Sequence, residues 1–209
     1  MQNSSTLKNE LIFDYAAGKS NLSKSLIAST YLLLNSSEIS TFNDFENYCN
    51  EEFKNIKKIN TINLKAEDCI KEHNKNLTKS DKIKNLLETL KELKWKKVFN
   101  GFYEYSLKLS DNENVKLIKM NPGSKVPLHS HNGKEYILVL EGSFCDEYGK
   151  YSKGNLQIND SNVKHTPIAC DKEGCICLTV TEQDLVFYGP LSPVLNLITF
   201  IKSFFLTTK

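Results

Sequence analysis

The N-terminal part of the chain has the apolar spacing of amphipathic helices. Between residues 7 and 54, large apolar side chains recur three or four positions apart: one group at Leu11, Ile12 and Tyr15, a second at Leu22, Leu26, Ile27, Leu33 and Leu34, and a third at Phe42, Phe45, Tyr48, Cys49 and Phe53. Gly18 is placed to end the first helix. Thr41 and Asp44 resemble a capping box that would begin the third helix. The pattern predicts a helical N-terminal domain.

The next segment changes from apolar to charged. Residues 55 to 80 are rich in Lys, Asn and Glu, which predicts a solvated linker or a mobile helix, with His73 exposed to solvent. A further amphipathic stripe follows at Ile83, Leu86, Leu87, Leu90 and Leu93 and ends near Trp95. We therefore place the helical part in residues 1 to 90, with the linker at about 55 to 80.

From about residue 98 the pattern becomes that of short β-strands separated by Gly, Asn and Asp turns. The strand candidates are YEYSLKL, NVKLIKM, EYILVLEG, LQIND, CICLTVT and LVFYG. This many short strands indicate a compact barrel or jelly roll, which we place in residues 95 to 205. The tail after Pro190 is expected to pack on the barrel as a helix or an extended arm. The fold class predicted for the chain is α+β.

Composition and charge argue against several classes of partner. The 209 residues are 40% hydrophobic and 25% charged with a formal net charge of +2, and all 27 basic residues are lysines. The lack of arginine argues against sequence-specific DNA reading, because arginine paired with guanine is its commonest contact. The N-terminus has no signal-peptide pattern, the apolar tail is interrupted by Pro193, Asn196 and Lys202, and the six cysteines show no disulfide framework. We expect a cytoplasmic protein with no membrane segment and no direct nucleic-acid partner.

The strongest chemical signal lies in PGSKVPLHSHNGKEYILVLEG, residues 122 to 142. His129 and His131 stand two positions apart, so their side chains share one face of a strand, and Glu135 lies at the start of the next strand. A third histidine follows at His165. Three imidazoles and a carboxylate suit zinc, iron, manganese or nickel. The set therefore predicts a metal site inside the barrel.

The spacing of these residues resembles a known motif. The sequence runs Gly123-x5-His129-x-His131-x3-Glu135-x6-Gly142, as in the first motif of the cupin superfamily. The resemblance implies a small β-barrel in which these two histidines and the glutamate, together with His165, hold one divalent metal ion. Zinc is the expected ion, with iron or manganese as alternatives.

A closer resemblance extends over most of the chain. The segments HSHNGKEYILVLEGSFCDEYGKYSKGNLQINDSNVKHTP and CICLTVTEQDLVFYG are similar to the cupin domain of ChrR-type anti-sigma factors. The segment DYAAGKSNLSKSLIASTYLLLNSSE is similar to the helical anti-sigma domain of the same family. The resemblance implies that the helices bind and inhibit an extracytoplasmic-function sigma factor of the RpoE type. It also implies that the cupin domain controls release under oxidative stress, often singlet oxygen.

One departure from the family concerns its N-terminal zinc site. The family holds that zinc with a histidine near the start and a His-x3-Cys-x2-Cys group in the second helix. Residues 1 to 10 of this chain contain no histidine, and the other three positions align with Tyr31, Asn35 and Glu38. All four ligands are missing together, so we expect that this site has been lost and that the barrel ion is the only metal.

Two cysteines on one predicted strand are candidates for a role beside the metal site. Cys175 and Cys177 share one face of the strand CICLTVT, and Ile176, Leu178 and Val180 share the other. Two interpretations stand level: the pair consists of small core residues, or it is an oxidisable or supporting pair beside the metal. The other cysteines are expected to be structural or incidental.

The sequence leaves two classes of function open. In the first, a non-enzymatic regulator grips a sigma factor with the apolar face at Leu22 to Leu34 or with that of 83 to 93. In the second, the chain is a cupin enzyme of the dioxygenase or isomerase type, because such an ion with an open coordination position can activate oxygen or water. No convergent arginine or general base marks a substrate pocket, which favours the regulator.

Overall fold

The computed structural model of the protein describes residues 4–56, 79–109, 113–190 and 192–197. Most of the predicted linker, with His73 and Cys69, lies outside the described residues, and so does the tail beyond residue 197. Within the described part of the chain, the helices before the first strand are α1 (Ser4–Ala16), α2 (Leu22–Leu34), α3 (Ile39–Ile56) and α4 (Lys79–Glu92), with a 3-10 turn at Ser36–Glu38.

Local signals account for most of the helix ends. Gly18 adopts a left-handed conformation with φ +67°, and its N–H donates to the carbonyl of Tyr15, so it ends α1 as its position predicts. The Asn21 side chain accepts a hydrogen bond of 2.9 Å from the Lys24 N–H and so caps the start of α2. The predicted capping box at Thr41 is wrong. Helix α3 already begins at Ile39, because the 3-10 turn before it leads directly into the helix.

The C-terminal part is an antiparallel β-barrel. Its strands are β1 (Lys96–Phe99), β2 (Phe102–Leu107), β3 (Asn114–Met120), β4 (His129–His131), β5 (Glu135–Asp146), β6 (Gly149–Ser152), β7 (Leu156–Asn159), β8 (Ile168–Ala169), β9 (Cys175–Thr181) and β10 (Leu185–Phe187). The main sheet runs β1-β2-β3-β9-β5-β6, with β7 and β8 also paired to β5, and a second sheet pairs β10 with β4. The chain therefore has the predicted α+β class, with helices followed by a cupin-type barrel of jelly-roll form.

The main sheet separates two apolar layers. Alternate residues of β3, β5 and β9 point to opposite faces. On the outer face, one cluster joins barrel residues to the helices, and its buried members are Leu7, Leu11, Ile12, Ile27, Ala28, Tyr31, Leu32, Leu90, Val115, Leu117, Tyr136, Leu138, Leu140, Ile158, Leu178 and Val180. On the inner face, a second cluster consists of Phe102, Met120, Val126, Ile137, Val139, Phe144, Ala169, Cys175 and Cys177. The helices thus share a core with the barrel.

A β-bulge changes the alternation halfway along β5. Opposite β9, Val139 pairs with Cys177 and Glu141 with Ile176, so one extra residue is present in β5. Glu135 faces the barrel interior before the bulge, and Phe144 and Asp146 face the same interior after it. In a strand without the bulge, residues eleven apart would face opposite sides.

Most of the described apolar side chains on the helix faces predicted to bind a partner are buried or partly buried in this shared core. Ile27 is fully buried, and Leu90 in the second predicted stripe is 2% exposed. Leu22 is the exception, with 55% of its surface exposed, and Ile39 and Tyr48 are also exposed. Among the helix side chains that the structure describes, the large apolar ones left exposed are Leu22, Ile39 and Tyr48, and of these only Leu22 belongs to a stripe predicted to bind a partner.

Charged side chains line the edge where α1 and α2 meet the barrel. The Lys24 Nζ lies 2.7 Å from Glu182 Oε1 and 3.4 Å from Glu113 Oε1. The other oxygen of Glu182 accepts a 2.9 Å hydrogen bond from the backbone N–H of Lys134, the residue before β5. Lys134 in turn lies 3.3 Å from Glu10 on α1. This edge ties the helical layer to the segment that precedes Glu135.

The segment after β10 packs on the barrel as a short helix at 192–197. The Asn196 amide accepts a hydrogen bond of 2.8 Å from the Phe187 N–H and donates one of 3.1 Å to the Phe187 carbonyl. These two bonds hold β10 in place. The helical form of the predicted arm is thus the one that the described residues adopt.

Candidate metal centre

The four predicted ligands converge inside the barrel. His129 and His131 lie on β4, Glu135 begins β5, and His165 lies in the segment before β8. An isolated bridge ties His165 to His129 through reciprocal backbone hydrogen bonds of 3.0 and 3.1 Å. One potential ligand atom from each residue lies within 4.8 Å of the other three, and all four residues are buried. Two distant segments of the sequence are therefore brought to one point.

The distances within the cluster are short. The Nε2 atoms of His129 and His165 are 3.1 Å apart. The Oε2 atom of Glu135 lies 2.9 Å from His131 Nε2 and 3.6 Å from His165 Nε2. Asn159 donates a hydrogen bond of 3.2 Å to the same oxygen. Such a group of atoms is compact enough for a single ion with bonds of about 2.0–2.2 Å.

Hydrogen bonds outside the cluster fix which nitrogen faces inward. The Nδ1 of His129 lies 2.9 Å from the Pro127 carbonyl, and the Nδ1 of His165 lies 2.9 Å from Asp146 Oδ2. A carbonyl and a carboxylate can only accept, so each Nδ1 carries a proton and donates it. The Nε2 of both rings therefore points to the centre of the cluster.

His131 provides the test of whether the residues fit a metal ion. Neither of its ring nitrogens makes a hydrogen bond of acceptable geometry, although the side chain is almost fully buried. The contact of its Nε2 with Glu135 is short but poorly aligned for a hydrogen bond. A buried nitrogen without a hydrogen bond is costly unless another partner takes its lone pair. The donor set, three imidazoles and a carboxylate, supplies such a site for a divalent ion.

The electrostatics of the cluster distinguish its members. Burial lowers the pKa of His129 to about 4. Burial acts in the same direction on His165, but its hydrogen bond to Asp146 and its contact with Glu135 outweigh this and raise its pKa to about 9. Burial alone would raise the pKa of Glu135, yet the neighbouring imidazoles, His131 foremost, hold it well below its usual range. Glu135 is therefore a buried anion that the surrounding imidazoles stabilise.

The two cysteines lie in the wall of the barrel interior. Cys175 pairs with Met120 and Gly142, and Cys177 pairs with Ile118 and Val139 across the sheet. Both thiols are buried and belong to the inner apolar cluster. The hydrogen bond with Cys175, together with burial, raises the pKa of Cys177 well above its ordinary value. A thiol that stays protonated is a poor nucleophile, which favours the packing interpretation of the pair.

Several residues around the cluster were not predicted from the sequence. Asp146 and Asn159 hold His165 and Glu135 through their side chains, and Pro127 holds His129 through its carbonyl. The Phe187 ring lies 5.7 Å from the His129 ring and closes that side of the cluster. Asp146 stands in the segment GSFCDEYGKYSKG, whose family-specific pattern was the available signal.

The positions aligned with the N-terminal zinc ligands of the family carry a different set of contacts. The Glu38 Oε1 accepts hydrogen bonds of 2.8 Å from Lys8 Nζ and 3.2 Å from the Tyr31 hydroxyl. The Asn35 amide donates to the carbonyls of Tyr31 and Gly154, at 3.0 and 2.9 Å. Tyr31 is buried in the shared core. This polar group joins the first helices to one another and, through Gly154, to the barrel.

A small antiparallel barrel whose interior holds three histidines and a glutamate in this arrangement defines a cupin domain. Residues 84–184 match the family model of the ChrR cupin-like domain. The segment 84–184 is therefore similar to the ChrR cupin-like domain, and over these residues the resemblance predicted from the sequence is confirmed.

Two relatives extend this comparison. The chain is 34% identical over 98 residues to the anti-sigma-E factor ChrR of Cereibacter sphaeroides, a match that covers 47% of this chain and 46% of that protein. The chain thus spans about half the length of this curated relative. It also superposes on the crystal structure of Rhodobacter sphaeroides SigE in complex with the anti-sigma ChrR, with a TM-score of 0.66 and 24% identity over 83% of this chain and 96% of that chain. The superposition extends over both the helices and the barrel.

Among the described residues, no helix has the length and apolar character needed to cross a lipid bilayer.

Proposed function

We propose that this protein is an anti-sigma factor that binds and inhibits an extracytoplasmic-function sigma factor of the RpoE type. The observation that carries the proposal is the union of a ChrR cupin-like domain with a helical layer on the outer face of the same sheet. The relative that shares the domain is an anti-sigma factor, and the superposed chain is bound to a sigma factor. Residues 1 to 90 would contact the sigma factor, and residues 95 to 205 would form the sensor. We place this activity in the cytoplasm, where sigma factors act.

We further propose that His129, His131, Glu135 and His165 hold one divalent ion, with zinc first and iron or manganese as alternatives. An ion bound there would join β4, β5 and the segment before β8 by bonds that the apolar core cannot supply. Oxidative stress, such as singlet oxygen, would act on this centre, and the shared sheet would carry the change to the helices. For Cys175 and Cys177 we propose a packing role in the wall around the centre, because both thiols are buried and the pKa of Cys177 is raised.

The burial of the ligands favours a regulator over an enzyme. His131 and His165 are 2% and 0% exposed, and Phe187 covers His129. A cupin dioxygenase or isomerase needs a path for its substrate to the ion. Among the residues that the structure describes, the inner side of the sheet is filled with apolar side chains around the cluster.

Co-expression with each extracytoplasmic-function sigma factor of the same genome tests the regulatory function. We expect one sigma factor to co-purify with this protein and its transcription to be inhibited. Leu22→Glu is expected to weaken the complex, because Leu22 is exposed on α2, whereas the matched change Leu128→Glu on an exposed barrel position is expected to leave it intact. Absence of a complex with every encoded sigma factor would contradict the proposal.

Elemental analysis of the purified full-length chain tests the metal site. We expect one ion per chain, lost in His129→Ala and retained in His73→Ala, which is the matched control because it removes a histidine from the charged linker. Two ions per chain would show that the N-terminal domain has kept a site of its own. An ion retained in His129→Ala would disprove the proposed ligand set.

A further inference from the structure

The Asp146 carboxylate accepts hydrogen bonds from two directions at once. Its Oδ1 accepts from the backbone N–H groups of Tyr148 and Gly149, at 2.9 and 3.2 Å, in the turn between β5 and β6. Its Oδ2 accepts from the Gln157 amide at 2.7 Å and from the Nδ1 of His165 at 2.9 Å. Its side chain is completely buried. One carboxylate thus connects a surface turn to the last of the proposed metal ligands.

The chemistry of these four partners is uniform, because every one of them is a donor. Tyr148 and Gly149 offer backbone N–H groups, Gln157 is oriented with its NH2 toward the carboxylate, and His165 offers Nδ1–H. An ionised carboxylate has only acceptors and satisfies all four. Gln157 also donates to the Tyr151 hydroxyl at 3.0 Å, which keeps its amide in this orientation.

We propose that Asp146 is a positioning residue for the metal centre, which holds one proton of His165 on Nδ1 and so leaves Nε2 as the atom that binds the ion. This inference rests on the proposed metal site and adds a residue outside the ligand set. The opposite Nε2 of His165 lies 3.1 Å from His129 Nε2 and 3.6 Å from Glu135 Oε2, at the centre of the cluster. An ion that binds Nε2 displaces any proton there, and the ring must then keep its remaining proton on Nδ1, where Asp146 accepts it.

The substitution Asp146→Asn tests this role with almost no change in shape. The NH2 group of an amide must point either at the turn or at Gln157 and His165. Either way, one N–H donor faces other donors and no hydrogen bond forms between them. When the NH2 faces His165, the ring is driven to the tautomer with its proton on Nε2. We expect zinc affinity, measured by competition with a chromophoric chelator, to fall about 10–100-fold.

Asp171→Asn is the matched control. It removes the same charge from an exposed carboxylate in the turn before β9, away from the cluster. Its zinc affinity is expected to stay within about twofold of the wild type, and an equal loss in both variants would attribute the effect to net charge and overturn the proposal.

A double-mutant cycle separates positioning from general support of the fold. In a His165→Ala background, the remaining ligands bind zinc weakly, and Asp146→Asn is expected to cause no further loss because the residue through which it acts is gone. A full additional loss in that background would mean that Asp146 acts through the β5–β6 turn, and the proposal would fail.

A measurement on the wild type does not depend on the folding of any variant. Long-range 1H–15N spectra of the zinc-loaded protein are expected to show the His165 proton on Nδ1, hydrogen-bonded and slow to exchange. Coordination of zinc through Nδ1 of His165 would overturn the proposal even if all four ligands are correct. Retention of zinc in both His129→Ala and His165→Ala would instead show that the metal site itself is wrong.

Discussion

The two faces of the main sheet are built from the same strands but use opposite chemistry. On the outer face, Tyr136, Leu138 and Val180 pack against the helices in a continuous apolar layer. On the inner face, among apolar side chains, Glu135 meets the histidines of β4 and of the segment before β8 in a polar cluster whose stability depends on individual partners. In β5, the residues that stabilise the fold and the residue that belongs to the candidate site therefore lie on opposite sides of the same strand. Packing on one side holds the sheet, and specific contacts on the other side hold the ligands.

The largest effect is expected on the outer face. Leu138→Ala removes a fully buried side chain between the sheet and the helices and should lower the free energy of unfolding by about 2–5 kcal/mol. Urea unfolding measures this. The same truncation at the exposed Leu22 should cost less than about 0.5 kcal/mol. Equal costs at the two leucines would mean that the helices do not pack on the sheet as described.

The next effect belongs to the inner face. Zinc at about one hundred times its dissociation constant should stabilise the wild type by about 2.7 kcal/mol, because the ion binds only the folded state. Thermal unfolding with and without zinc measures the gain, which His131→Ala should abolish. Leu138→Ala should keep most of it, since its side chain faces the helices. Loss of the gain in Leu138→Ala would show that the two faces are not separable.

A smaller effect is expected at the edge where the faces meet. Burial would raise the pKa of Glu182, but its hydrogen bond with Lys24 and that from the Lys134 N–H lower it below the ordinary value of 4.5. A lowered carboxyl pKa contributes stability above about pH 4.5, and this contribution disappears as the pH falls through the folded-state pKa. Glu182→Gln should therefore destabilise the protein by about 0.5–1 kcal/mol near pH 7 and hardly at all near pH 3.

Urea unfolding of Glu182→Gln and the wild type at both pH values measures that difference. Glu141→Gln, at an exposed position on the same sheet, serves as the control and should show no difference at either pH. If the difference in free energy of unfolding between Glu182→Gln and the wild type is larger at pH 3 than at pH 7, the assignment of the ion pair is contradicted.

The smallest effect is expected for the outermost ion pair. Glu10 is 49% exposed and lies 3.3 Å from Lys134. Exposed pairs gain little because water screens them, so Glu10→Gln should change the free energy of unfolding by less than about 0.5 kcal/mol. A larger loss in urea unfolding would mean that this edge contributes more to docking of the helices than its exposure indicates.

The sequence predicted three residues of the candidate cluster because they are close in sequence and follow strand geometry, whereas the place of His165 beside them was implied by the resemblance to the cupin family. His129 and His131 share a face by the two-residue period, and Glu135 begins the next strand as expected. The strands β3 and β9 also coincide with their predicted segments, which are seven-residue runs with apolar residues on both faces. The short strands β6 and β8, of four and two residues, carry too few residues for such a pattern and were not predicted, whereas β7 and β10 were predicted from LQIND and LVFYG.

What the sequence did not predict depends on contacts between distant segments. An apolar stripe shows that a helix has a buried face but not what covers it, so the sequence alone left open whether Ile27 contacts a partner or a core. It packs in the core shared with the barrel. Asp146 was not assigned to the centre because the strand predicted from the sequence, EYILVLEG, ends at Gly142, and strict alternation beyond it would place Asp146 on the opposite face from Glu135. The bulge that reverses this has no apolar signature of its own.

That bulge also has a consequence for how relatives can be recognised. Between Glu135 and Gly142, β5 uses one residue more than the facing stretch of β9 between Thr181 and Cys175. An aspartate that supports the last histidine must therefore stand an odd number of positions after the glutamate when the bulge is present, and an even number when it is absent. A search that allows a gap of one residue at this point would find both forms, whereas a rigid pattern would miss one of them.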